Sequence, residues 1–523
     1  MRKTRIVALI TVLVLLVSMF AACNQAPAAS STAPTSSAAP AGSTPASSEA
    51  APAAPLSFTM MCTYNGTEPP KADAAYMVYF QEALNTTIDM TWVPNSAYND
   101  KLAAQIAAVD LPQVAIARDP KSAVVVNAAR SGMLWPLSPY VTPEYESFDN
   151  FSKGVLSNMS IDGVLYAFPR EREMVRAGTY YRQDWMDNLN LETPKNMADI
   201  YEICRAFTED DPDGNGVKDT VGLALRGGCL DSLLRVVTCY YGGPKTWLVN
   251  DDGSFTNEVD TPEFQMALDF YRDLYSNGYM ISDFAVVDDE LLVFSQGRAG
   301  ILVQTTANDG AGTVRKNLLD LFPDAEVGGT MEIYNPNGEL TLYSHTGFTG
   351  SLIFPKIQTK TEEELLPILS FFNELGKPEH AQFMNLGHEG THYTIVDGFA
   401  TLTAEQKAAF DIDMQDNSQI HPYGYESWYP VPKKQAIPLG QYFADHQKSL
   451  AEFVVYNPAE PFISETQTTL GNTLSDIVGD AKTKYIMGEI DLAGWQKAVA
   501  DWKAAGGDKV AEEFAAQYKA VNG

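Results

Sequence analysis

The chain is poor in the residues that metal and nucleophile chemistry draws on. It holds 6 histidines and 5 cysteines in 523 residues, and no two cysteines stand as C-x-x-C. A cysteine-built zinc site is therefore not expected. No G-x-x-x-x-G-K-[ST] phosphate loop, G-x-S-x-G nucleophile elbow or dinucleotide fingerprint occurs, which removes the common nucleotide enzymes and serine hydrolases. Positive charge is scarce as well. Against 66 Asp and Glu stand only 36 Lys and Arg, a formal net charge of −30. Such a surface repels phosphate backbones and anionic lipid, so no nucleic acid is expected as partner. Beyond the N-terminus no apolar run approaches the ~20 residues of a spanning helix.

What is present begins with an export signal. Arg2, Lys3 and Arg5 precede an uninterrupted apolar run over residues 6–20, and Ala21-Ala22-Cys23 closes it. Basic start, short apolar centre and small residues at the cut are the marks of a cleaved leader. With cysteine at the junction it resembles a bacterial lipoprotein signal, which implies removal of residues 1–22 and lipidation of Cys23. Residues 23–55 are nearly all Ala, Ser, Pro, Thr and Gly, a composition that stays extended and serves as a tether. The expectation is an extracytoplasmic, lipid-anchored and monomeric protein.

From residue 56 strand and helix patterns alternate: strands over 56–63, 87–93 and 113–117, helices over 72–84, 98–108 and 122–131. Such units predict an α/β protein with mostly parallel sheets flanked by helices. Beyond residue 55 the chain is too long for one core, which points to two lobes. Thr193-Pro194 and Thr261-Pro262 read as helix starts, Asn250 to Gly253 and Asn337-Gly338 as hairpin turns. Cys204 falls on an apolar helix face and reads as core. A Cys229–Cys239 bridge is chemically open but not required by the sequence.

The sharpest local signal is Asp211-Pro-Asp213-Gly-Asn215-Gly-Val217-Lys-Asp219. Oxygen donors at positions one, three, five and nine, a carbonyl at seven and Gly216 at six are how a loop wraps calcium. Position twelve is Gly222, not the bidentate Glu of an EF-hand, and residues 221–225 read as strand, so a lone structural calcium loop is expected. His388-Glu389-Gly390-Thr391-His392 matches the zinc-protease string H-E-x-x-H, with Glu426 the one acid placed to serve as a third ligand. That chemistry needs both histidines on one helical turn. Gly387 and Gly390 interrupt the segment and Tyr393-Thr-Ile-Val prefers strand, so neither zinc nor catalysis is expected. Aromatic residues beside polar ones, among them Tyr64-Asn65, Arg170-Glu171, Tyr241, Trp247 and the stretch from His421 to Tyr429, offer flat faces and hydrogen bonds to sugar rings.

Several stretches together resemble the extracellular solute-binding lipoproteins of ABC sugar importers, in particular the large family 1 members that bind oligosaccharides and alginate. They are Asp110-Leu-Pro-Gln113, Gly163-Val-Leu-Tyr-Ala-Phe-Pro169, Tyr181-Arg-Gln-Asp-Trp185 with Thr193-Pro194, the Asp211 to Asp219 loop, Gly297-Arg-Ala-Gly300, Gly390-Thr-His-Tyr393 with Asp397-Gly398, and Ile486-Met-Gly-Glu with Trp495. The resemblance implies a type II, periplasmic-binding-protein-like fold with a ligand cleft between two lobes. It places chain crossings near Pro169, Glu326 and Pro367, giving an N-terminal lobe of 56–168 and 327–367 and a C-terminal lobe of 169–326 and 368–523. It implies carbohydrate capture by lobe closure and delivery to ABC membrane subunits, without catalysis. Candidate ligand contacts are Tyr64, Asn65, Arg170, Glu171, Trp247, His392, Tyr393, Trp428 and Tyr429, and calcium ligands Asp211, Asp213, Asn215, Val217 and Asp219. A peptide or sensory ligand in the same cleft, and a zinc-dependent or glycoside hydrolase, are the alternatives.

Overall fold

The computed structural model describes residues 54–424, 428–435 and 437–522. The leader, Cys23 and nearly all of the tether lie outside the described residues, as does Glu426. The alternation read from the sequence is present: β1 (Leu56–Tyr64), β2 (Thr86–Pro94) and β3 (Val114–Ala117) are separated by helices Ala75–Leu84 and Tyr98–Ala108. Val114, Ala115, Ile116 and Ala117 are all buried, as suits a central strand covered on both faces. The chain continues through β4 (Ala167–Glu171), β5 (Gly178–Arg182), β6 (Val221–Ala224), the hairpin β7 (Trp247–Val249) and β8 (Phe255–Asn257), β9 (Ala299–Gln304), β10 (Val327–Thr330), β11 (Leu342–Tyr343) and β12 (Phe348–Ile353).

Two sheets organise two hydrophobic cores. One has the order β2-β1-β3-β12-β4, the other β10-β5-β9-β6. In the first, β1 lies parallel to β2 and β3, while β12 runs antiparallel to β3 and β4. In the second, β6 and β9 are parallel and β5 is antiparallel to β9 and β10. The reversed strands have a topological cause. A strand that leaves a lobe runs toward the partner lobe, as β4 and β10 do; one that arrives runs away from it, as β5 and β12 do.

Side-chain packing sets the lobe boundaries and corrects the expected ones. β4 carries the first lobe to Glu171, so the first crossing is 172–177, not Pro169. β10 still pairs with β5, and Met331, Ile333 and Leu342 remain in the second core, so the second crossing lies after Leu342 and before β12, not at Glu326. Pro367 marks no crossing. It sits inside helix Glu362–Leu375, whose Leu365, Ile368, Leu369, Phe372 and Leu375 enter the first core. Phe383, Met414, Ile420 and Tyr423 follow into that same core. The helix starts at a Thr361–Glu364 capping box, so the proline falls among residues already committed to one apolar face. The chain is still with the first lobe at Lys434, whose amide donates to Ala400, while Ile437 and Phe443 pack on the second core.

Local signals fared unevenly. Thr261 caps helix Pro262–Ser276 as read, but Asn196, not Thr193, caps helix Met197–Glu209 by accepting from the Asp199 amide. Cys62, Cys204, Cys229 and Cys239 are all free thiols, and Cys204 is fully buried. Phe168 on β4 stacks on Phe148 at 4.0 Å and is fully buried. Phe168→Ala is expected to cost about 3–5 kcal/mol of stability, read as a lowered urea midpoint.

Candidate functional site

The crossings are laced together. Val175 bridges to Ser344, the His345 amide donates to the Met174 carbonyl at 2.8 Å, and the Arg172 amide to Gly347 at 2.9 Å. β11 pairs in parallel with Val454–Val455, and Ser344 Oγ donates to the Val455 carbonyl at 2.7 Å. From there residues 456–465 pass both cores: Ala459 belongs to the second and Ile463 to the first. Glu460 ties the two, its carboxylate accepting from Asn158 at 2.9 Å and from Lys245 at 2.6 Å, its carbonyl from Lys121.

Against this lacing, at the carboxyl ends of β1, β2 and β3, opens a concavity of about 650 Å3. Its lining includes Asn65, Asn95, Arg118, Asp119, Arg170 and Gln419, with Thr63, Thr346 and Thr349 adding hydroxyls. Each position follows from the topology: Asn65, Asn95 and Arg118 are the first residues past their strands, and Arg170 is the last residue but one of β4 as it departs toward the second lobe. Arg170 is 2% exposed, and its Nε and Nη2 donate to the Ser418 carbonyl at 3.2 and 3.0 Å. Arg118 is exposed and steadied by donation to the Asn95 carbonyl at 3.1 Å. Such a rim of amides, hydroxyls and guanidiniums fits a polyhydroxylated ligand.

Of the expected ligand contacts, Asn65 and Arg170 meet here, and Tyr64 stands beside them at the end of β1. Asn65 is held by Asp416, which accepts from its amide and side chain. Glu171 and Trp428 meet in a neighbouring concavity of about 230 Å3 with Arg172 and Gly347. The indole donates to Glu171 Oε2 at 3.0 Å and the Ser152 amide to Oε1 at 3.0 Å. Burial pushes the Glu171 carboxyl above its ordinary range against the pull of those two hydrogen bonds. Tyr429 is half-buried against the first-lobe packing.

Three candidates are placed elsewhere. Trp247 is buried in the second core against Phe514 and Trp502. Tyr393 is buried with Leu386 and Ala400, its hydroxyl accepting from Gln382 at 2.8 Å. His392 is 1% exposed and spends both ring nitrogens internally, on the His388 amide at 2.8 Å and Asp413 at 3.2 Å. The H-E-x-x-H string follows helix Pro378–Leu386 as a turn, so its histidines do not share a helical face. Core packing occupies the rings of Trp247 and Tyr393. Arg118, Asp119 and Asn95 went unread; their signal was their place just after a buried strand.

The Asp211 loop suits a hard cation. Asp211 Oδ1 is buried without a hydrogen-bond partner, while Oδ2 accepts from the Gly216 amide at 3.0 Å. Asn215 Nδ2 reaches Asp213 at 2.8 Å and Asp219 at 3.4 Å, and Gly216 adopts φ 77. Among the described residues no three His, Cys, Asp or Glu side chains are grouped to hold a metal. An oxygen shell there would need the carboxylates of Asp213 and Asp219 to turn inward and backbone carbonyls to complete it. Gly222 leaves no room for a twelfth-position carboxylate, since a Cβ there would sit 2.3 Å from Cys204 Cα. Thr220 is engaged with the Phe207 carbonyl at 2.8 Å.

A two-core α/β chain whose crossings floor a polar concavity at strand ends has the architecture of a solute-binding protein. The comparisons agree: the profile described as "Bacterial extracellular solute-binding protein" matches residues 65–330, and the chain belongs to that family. The Polygalacturonan/rhamnogalacturonan-binding protein YtcQ of Bacillus subtilis (strain 168) is 33% identical over 90% of this chain and 92% of its own. Lipoprotein LipO of the same organism is 31% identical over 83% and 86%. The fold matches Streptococcus pneumoniae FusA in complex with kestose at TM-score 0.65, with 15% identity over 89% of this chain and 99% of that one.

Two histidines lie close to this floor. Burial pulls the His421 imidazole down to about 3, assisted by the Arg172 and Arg170 guanidiniums. Burial likewise lowers His345 to about 4, although its Nε2 meets the Thr305 carbonyl at 2.6 Å. Both are neutral in the fold, while an unfolded histidine titrates near 6.5. Below pH 6.5 the unfolded chain takes up protons that the native one refuses, so stability present at neutral pH is lost on acidification. In urea titrations, His421→Asn is expected to lose about 2 kcal/mol less stability than the parent between pH 7 and 5.

Proposed function

We propose that this solute-binding protein captures a carbohydrate, an oligosaccharide rather than a single sugar, and passes it chemically unchanged to the membrane subunits of an ABC importer. The observation that carries the reading is the amide- and hydroxyl-lined concavity set directly on the crossings. A ligand lying there contacts the first lobe and the hinge together, and adding second-lobe contacts draws the two lobes closed around it. Relatives named for polygalacturonan and rhamnogalacturonan, and for fructooligosaccharides, support the carbohydrate class. A lipid on Cys23 would hold the protein at the outer face of the membrane, the tether giving it reach to the importer. No catalytic step is needed.

Calcium would be held by Asp211, Asp213, Asn215, Asp219 and the Val217 carbonyl, pinning the loop between helix Met197–Glu209 and β6. Its contribution is charge neutralisation of a carboxylate loop, not activation of water.

A thermal-shift panel of neutral and acidic oligosaccharides tests the main reading. A true ligand at a hundred times its Kd stabilises by about 2.7 kcal/mol and raises the melting temperature, with a smaller radius of gyration in solution scattering and no hydrolysis product on long incubation. A panel that leaves the melting temperature unmoved overturns the proposal. For the metal, chelation with EGTA is expected to lower the melting temperature of the parent, and Asp211→Ala to lower it likewise and abolish the response to chelator.

A further inference from the structure

We propose that the ligand is an anionic saccharide whose carboxylate is received by Arg170 and Arg118 in the strand-end concavity. This rests on the carbohydrate reading and narrows it to a charge class.

The starting observation is a buried cation without a counter-ion. Arg170 is almost fully enclosed, and its two described hydrogen bonds go to one neutral carbonyl, that of Ser418. Among the described residues no carboxylate forms an ion pair with it. Glu171, its neighbour in sequence, turns its carboxylate to the Ser152 amide and the Trp428 indole instead. The charges around Arg170 aggravate its position: after burial, the Arg172 and Arg118 guanidiniums are what push its proton affinity down, to a value of about 10. An enclosed charge left uncompensated is costly to a fold, and an arriving carboxylate removes that cost.

The geometry gives such a group access. Arg170 Nη1, the arm not used on Ser418, lies 3.2 Å from where a side chain at Gly350 would begin, and Gly350 lines the same concavity. With φ at 76, Gly350 occupies a backbone conformation few other residues tolerate, and its bare backbone leaves the guanidinium edge uncovered. Arg118 stands on the rim of the same concavity, anchored through the Asn95 carbonyl. Asp119 is the only carboxylate in that lining, and its Oδ1 is engaged by the Lys121 amide at 2.9 Å. Planar guanidiniums with paired donors suit a carboxylate geometrically as well as electrostatically. Asn65, Asn95, Asn99 and Gln419 remain for hydroxyls.

The test is calorimetric titration of the purified protein with trigalacturonate and with its fully methyl-esterified form, which share one sugar skeleton but present charged carboxylates and neutral esters respectively. The acid is expected to bind at least about tenfold more tightly, with the difference shrinking as salt is raised. Arg118→Ala, a surface change that leaves the melting temperature of the unliganded protein in place, is expected to remove most of that preference. Arg170→Lys keeps the charge but loses the fork, and is expected to weaken the acid more than the ester. Should the ester or neutral oligosaccharides bind as well as the acid, the charge inference falls and the carbohydrate reading stands. Should an acid preference survive Arg118→Ala and Arg170→Lys intact, its assignment to this concavity falls. If no saccharide of either kind binds, both readings fall together.

Discussion

The constraint on which the rest depends is that the chain passes between its two cores at one end of each sheet. Because the segments that follow β4 and β11 lie hydrogen-bonded side by side there, strands leaving a lobe point toward the crossing and strands entering point away. The reversed directions of β5 and β12 are a consequence, and so is the position of the concavity. Side chains just past the ends of β1, β2 and β3 are delivered to a concavity that Thr346 of the crossing and Phe348 at the start of β12 also line. Hydrogen bonds among the crossing segments, including Ser344 to Val455 and His345 to Met174, hold that floor as a small sheet-like lattice. Motion between the cores is thereby confined to bending at few residues, the usual basis of a hinge.

Much of the first lobe was legible because its signals are local. The buried run 114–117 and the helix over 98–108 follow from period and β-branching, as the Thr261 cap in the second lobe follows from a capping side chain acting within a few residues. The lobe boundaries were not legible, because they depend on which core an amphipathic helix faces. Pro367 looks like punctuation in the sequence, yet Leu365 before it and Ile368 after it are committed to one core, and a single proline cannot outweigh that burial. The site was half legible for a similar reason. Asn65 and Arg170, singled out as polar residues beside aromatic or charged neighbours, line one concavity, while Trp247, singled out on the same ground, belongs to the interior. Whether an aromatic ring meets ligand or core is decided by distant partners such as Phe514 and Trp502, and no local pattern encodes those.

The two sharpest strings in the sequence carry different lessons. The Asp211 loop folds as the Gly-rich turn its spacing implies, Asp211 Oδ2 accepting from the Gly216 amide and Asn215 Oδ1 from the Val217 amide. The H-E-x-x-H string does not fold as its spacing implies: its chemistry requires a helix to bring residues four apart onto one face. Gly387 at φ 74 and Gly390 at φ 85 break that register, and His392 is left to tie a turn to Asp413. A motif is as strong as the secondary structure its spacing presupposes.

Net charge misleads in the same manner when it is taken as a guide to the ligand. A chain at −30 repels anions at a distance, but at physiological salt that repulsion is screened over roughly 8 Å. Inside the concavity two guanidiniums face one engaged carboxylate, and Arg170 is removed from the water that would otherwise solvate it. The interaction felt by a bound group is set by those few nearest charges in a medium less polarisable than water. Net charge thus acts at long range, and on the proposed reading the sign of the ligand is set instead by the few residues past the ends of the first lobe's strands.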